Sequence, residues 1–136
     1  MKTTILMASV LAFAATACSF AARSPEMYRD DTGAALAKKN DDIRACYDGV
    51  LKGTPGAAGK VTVKFDVETE TGKVANVTVD KAGSTAPDAV SECVTKAIAG
   101  VAIAPPDARK GEATWVYEFS APPPAAAPAP APAPKS

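Results

Sequence analysis

Histidine is missing from the 136-residue chain. Its absence removes the commonest general base, the Ser-His-Asp and Cys-His nucleophile systems and most catalytic zinc sites. An excess of one charge is missing too. Fifteen Lys and Arg offset fifteen Asp and Glu, and neither sign gathers into a block, so the footprint of a nucleic-acid binder is lacking. No apolar run is long enough to cross a bilayer: the one from Ile5 to Ala17 has 13 residues, where a span needs about 20. Gly53, Gly56 and Gly59 lack the Gly-Lys-Ser/Thr ending of a phosphate cradle, and no serine sits in a nucleophile-elbow sequence. Adjacent carboxylates at Asp30-Asp31 and Asp41-Asp42 read as solvated charge, because neighbours on a helix point apart. The expectation is a protein that is not an enzyme, with no metal and no cofactor, and a length that allows one small domain.

What is present begins with Lys2 and the apolar run to Ala17, the layout of a secretory signal over residues 1–17. Ala15-Thr16-Ala17-Cys18 resembles a bacterial lipobox, which makes Cys18 the expected lipidation site. The protein is then expected to be exported and held to a membrane by acyl chains. Ser19 after the cysteine resembles lipoproteins sent to the outer membrane, facing the periplasm. Cleavage after Ala21 or Ala22, giving a soluble periplasmic or secreted protein, is the alternative. At the far end, residues 121–136 hold seven of the twelve prolines and seven alanines. This disordered Pro/Ala tail favours polyproline II, with a reach on the order of 50 Å, and suits a spacer or bait for a proline-binding groove.

Residues 18–33 are polar and read as a flexible tether, leaving 34–120 for the folded domain. Ile43, Cys46, Tyr47, Val50 and Leu51 fall at helical spacing, a stripe that could extend back through Leu36, with Asn40 or Thr32 as cap and Gly53 with Pro55 as stop. Val61, Val63, Phe65 and Val67 alternate with polar residues; after the turn signal Glu70-Thr71-Gly72, so do Ala75, Val77 and Val79. That is a hairpin. Thr85-Ala86-Pro87-Asp88 signals a helix start, followed by Val90, Cys93, Val94, Ala97, Ile98 and Val101 at helical spacing, with Gly100 and Pro105-Pro106 closing the helix. Trp115, Tyr117 and Phe119 alternate with Thr114, Val116 and Glu118 as a third strand. The fold class is therefore α+β in the order α-β-β-α-β, with two helices packed on one face of a three-stranded antiparallel sheet.

With Cys18 lipidated or cleaved away, two cysteines remain, one on the apolar stripe of each helix. In an exported protein Cys46 and Cys93, facing each other across a core, are expected to form a disulfide; two buried free thiols are the alternative. Closing a loop of about 50 residues stabilises by about 4 kcal/mol in the chain-entropy model. A redox-active pair is the third possibility, although no CxxC spacing is present to lower a thiol pKa.

Gly59-Lys60-Val61-Thr62-Val63-Lys64-Phe65-Asp66-Val67, then Gly72-Lys73-Val74, Val77-Thr78-Val79, Ala89-Val90, Ile103-Ala104-Pro105-Pro106, Gly111 and Val116-Tyr117-Glu118-Phe119 carry a further pattern. Over residues from about 40 to 120 the chain resembles the C-terminal domain of TonB-type energy transducers. One cysteine in each helix makes it more similar to the AgmX/PglI C-terminal domain type. The resemblance implies binding of a partner's extended peptide by addition to a free sheet edge, with the last strand as that edge. Thr114, Trp115, Val116, Tyr117, Glu118 and Phe119 are the residues it nominates. The expected partner is an envelope protein or peptide, with membrane contact through the N-terminal lipid. A transducer keeps an uncleaved transmembrane helix and places its proline-rich spacer before the domain; here the spacer follows it, so coupling to an inner-membrane motor is not expected. The alternative function is a structural envelope spacer that contacts the cell wall through the Pro/Ala tail.

Overall fold

The computed structural model describes residues 22–123. The signal-like segment, Cys18 and the tail from residue 124 onward lie outside the described residues. Six elements follow in order: α1 (Pro25–Ala37), α2 (Asn40–Gly53), β1 (Gly59–Val67), β2 (Val74–Val79), α3 (Asp88–Ile98) and β3 (Gly111–Phe119).

The strands form one antiparallel sheet in the order β2-β1-β3. Period-two alternation in β1 puts Val61, Val63, Phe65 and Val67 on one face, and all four are buried. Against them pack Ile43 and Tyr47 of α2, Val90, Val94 and Ile98 of α3, and Ile103 of the following loop. The Tyr47 hydroxyl donates to the Ala57 carbonyl, and its ring lies 4.8 Å from that of Phe119. Both helices thus cover one face of the sheet, as their apolar stripes require.

Several details differ from expectation. A third helix, α1, occupies most of the expected tether. Ser24 caps it by accepting from the Met27 amide at 3.3 Å, and Pro25 supplies the fixed φ of the first turn. Its inner side is made of Thr32, Ala35 and Leu36, small or single apolar residues that leave the segment polar on average. Leu36 consequently belongs to α1 and Lys39 is the N-cap of α2, so neither Asn40 nor Thr32 caps that helix.

The other differences lie further along. β2 carries a bulge where Asn76 takes a positive φ of 52° and its side-chain Nδ2 donates to Asp66 Oδ2 at 2.8 Å. Pro87 rather than Thr85 caps α3; the Thr85 hydroxyl accepts instead from the Lys60 amide at 2.9 Å, tying the loop to β1. As expected, the helix closes at Gly100, which turns into the left-handed region at φ 75°; its last helical residue is Ile98, so Val101 falls beyond it.

Cys46 and Cys93 are disulfide-bonded, joining α2 to α3 with their Cα atoms 5.6 Å apart. The bond sits at the rim of the helix pair rather than across the core, because Cys93 is buried while Cys46 is exposed.

Candidate functional site

Which way the β3 backbone points follows from the bonds of β1. Its even residues face the β2 side: the Thr62 carbonyl accepts from Asp80 at 2.8 Å, the Thr62 amide donates to the Ser84 hydroxyl at 2.9 Å, and Lys60 bonds to Thr85. Main-chain direction alternates along a strand, so odd residues of β1 face β3. The register pairs Val61 with Tyr117, Val63 with Trp115 and Phe65 with Ala113. Odd residues of β3 therefore face β1, and the N–H and C=O groups of Glu112, Thr114, Val116 and Glu118 point away from the sheet. None of these groups has a partner among the described residues.

The opposite edge is managed differently. The start of β2 is bonded by the chain returning from α3, with the Val74 amide donating to Val101 at 2.8 Å and the Gly100 amide donating to Val74 at 3.1 Å. The bulge at Asn76 then twists that edge away. β3 alone presents a regular strand's length of open main chain among the described residues.

Its side chains are half-buried on the odd face and exposed on the even face, with Val116 at 49 % the most exposed apolar one. Trp115, Tyr117 and Phe119, nominated from sequence, point to the core side; the outward main chain belongs to their even neighbours. Burial without a hydrogen-bond partner pushes the Tyr117 phenol up to about 12.

Beside β3, on the core-facing side, α1 leaves a groove of about 750 Å³ bordered by strand residues 111–116. Tyr28, Arg29 and Thr32 form its helix wall, and Arg23, Asp107 and Arg109 close its end. Two glycines permit this approach: a Cβ on Gly33 would lie 3.0 Å from the Trp115 ring, and one on Gly111 would collide with the Tyr28 phenol.

The closed end is a knot between residues 84 apart in sequence. The Arg23 amide donates to Asp107 Oδ2 at 2.9 Å, the Arg109 amide to Asp107 Oδ1 at 3.0 Å, and the Arg109 guanidinium to the Arg23 carbonyl at 3.1 Å. Those amides, Arg23's first, hold the Asp107 carboxyl below the usual carboxylate range. Arg23 Nε pairs with Asp31 at 2.6 Å, so Asp31 is engaged rather than freely solvated. The Arg23 side chain is only 6 % exposed, and its Nη2 is buried with no partner among the described residues; so is the Tyr28 hydroxyl. Burial first, and then Asp107, raises the Tyr28 phenol. Lys110 is matched by Asp66 at 3.1 Å and Glu112 at 3.7 Å, whereas Arg29 and Arg109 form no ion pair among the described residues.

The groove and Arg23 were not legible in the sequence. Ser24-Pro25-Glu26, a cap, a first-turn proline and an early acid, was the signal for α1. Nothing local signals the Arg23–Asp107 link. Among the described residues no three His, Cys, Asp or Glu converge to hold a metal ion.

No family profile matches the chain, and no curated protein does. Among solved structures it is similar to the NMR structure of the C-terminal domain of Helicobacter pylori TonB, with 19 % identity and a TM-score of 0.56, over 74 % of this chain and 86 % of that one. The fold is therefore that of a TonB C-terminal domain.

Proposed function

We propose that this chain is a non-catalytic envelope lipoprotein whose TonB-like domain binds an extended segment of an envelope protein by adding it as a fourth strand beside β3. The observation that carries this reading is the row of outward, unpartnered main-chain groups from Glu112 to Glu118. Exposed strand edges are templates for pairing, and natural proteins usually blunt them with bulges, prolines or covering loops, as at β2 here. Main-chain bonds would supply affinity, and side chains alternating into the groove would supply selectivity.

Export is supported by the Cys46–Cys93 disulfide, a bond typical of oxidising compartments. One cysteine in each helix favours the AgmX/PglI type of domain. In this reading Cys18 carries the acyl chains and the protein lies on the periplasmic side of the outer membrane.

The test is site-specific photo-crosslinking in intact cells with the crosslinker at position 114 or 116, and at Thr78 as a control. A discrete adduct at both β3 positions, absent at Thr78, is expected. Val116→Pro removes one outward N–H without touching the bonds to β1, and it should abolish the adduct while the domain still folds. An adduct that survives Val116→Pro overturns strand addition.

A further inference from the structure

Resting on strand addition beside β3, we infer that the partner's strand is acidic: it carries an aspartate or glutamate whose carboxylate enters the groove between α1 and β3 and binds Arg23 and Tyr28. Arg23 and Tyr28 both line one groove, and their Nη2 and hydroxyl, buried in its wall, have no acceptor among the described residues. A buried donor without a partner is destabilising, and few survive in folded proteins unless something satisfies them. A carboxylate is the acceptor best matched to both, because it takes a guanidinium N–H on one lone pair and a phenol on another.

Asp107 accepts from the amides of Arg23 and Arg109, Asp31 pairs with Arg23 Nε, and Glu112 sits with Lys110; none of the three accepts from Arg23 Nη2 or the Tyr28 hydroxyl. Arg29, which also lines the groove, forms no ion pair among the described residues, and its charge favours and steers an anionic segment.

Geometry selects a side chain rather than a chain end. α1 lies over the odd face of β3, as the Gly33–Trp115 and Gly111–Tyr28 approaches require. Arg23, tied to Asp31 of α1 and to Asp107, lies on that same side. The backbone of an added strand, termini included, stays in the sheet plane; its alternate side chains drop toward the groove.

The test uses the purified oxidised protein and two series of short blocked peptides of alternating threonine and valine. One series has a single glutamate stepped through every position, the other glutamine. Trp115, the single tryptophan, borders the groove and reports binding by fluorescence. The best glutamate peptide should bind at least about tenfold more tightly than its glutamine counterpart, the scale of a charge-assisted bond. Added salt should narrow that gap.

Tyr28→Phe should lower the preference several-fold while leaving thermal stability unchanged or higher, since it removes an unsatisfied buried hydroxyl. Arg29→Gln, at an exposed position, should weaken binding of the glutamate series alone. Equal binding of the two series overturns the acidic inference and leaves strand addition standing. Binding of neither series overturns both. A glutamate preference undiminished in both Tyr28→Phe and Arg29→Gln also overturns it. A peptide with neutral side chains and a free C-terminus that outbinds the blocked glutamate peptides would place the carboxylate at a chain end, against the proposal.

Discussion

The phenol of Tyr28 occupies the space that a side chain on Gly111 would need. One residue is on α1 and the other opens β3, 83 positions later, so a small residue at the strand's start is what lets the helix lie against its edge. The groove beside β3 exists because of this pair.

Replacing Gly111 by alanine therefore forces the Tyr28 ring aside. The expected loss is about 1–3 kcal/mol, the range for overpacking, and it should appear in denaturant melts as a lower midpoint. Gly33→Ala, which meets the edge of the Trp115 ring at 3.0 Å, should be milder. Equal stability of wild type and Gly111→Ala would show that α1 does not rest on β3 as described.

The disulfide leads to a second expectation. Cys46 is exposed, so a small reductant can reach the bond without global unfolding, although Cys93 is buried. Reduction should lower stability by about 4 kcal/mol in the chain-entropy model, a large fraction for so small a domain. Thermal melts with and without reductant, and of Cys46→Ala/Cys93→Ala, read this directly. A shift near zero would mean that the helix pair holds without its bridge.

Much of the architecture was readable without coordinates because it obeys short periods. Val61 to Val67 and Trp115 to Phe119 alternate strictly, and Val90, Val94 and Ile98 share a helical face. The unread parts are those where the periods fail. The buried side of α1 is Thr32, Ala35 and Leu36, too small and too polar to look like a stripe. Cys46 fits the spacing of the α2 stripe yet falls at its rim, because Ile43 and Tyr47 set the buried direction. The open main chain of β3 required the register with β1, and the groove required a contact between Arg23 and Asp107 that no local pattern encodes.

Stability should depend on pH in a defined way. Asp107 is held below its ordinary value of 3.8, as are Asp66, chiefly by the Asn76 amide, and Asp80, chiefly by Lys64. A carboxyl whose folded pKa is depressed stabilises fully above its unfolded pKa and ceases to do so as pH falls through the folded one. The loss should thus begin near pH 4 and grow below it. With no histidine, stability should be level from about pH 5 to about 8.

At the alkaline end the sign reverses. Tyr117 is neutral in the fold up to about 12, against 10.0 when free. Its contribution is complete below 10 and disappears as pH rises toward 12. Denaturant titrations at stepped pH test both limbs, and Asp107→Asn should reduce the acid one. A midpoint that moves sharply between pH 5 and 8 would contradict this assignment.

Residue-resolved amide hydrogen exchange along β3 tests the open edge most directly, measured on the free protein and then with the partner segment found by crosslinking. In the free protein the amides of Ala113, Trp115 and Tyr117 should be protected while those of Glu112, Thr114, Val116 and Glu118 exchange quickly; on binding, the second set should become protected. Uniform protection along β3 before any partner is added, or outward amides that stay fast once it is bound, would contradict the account.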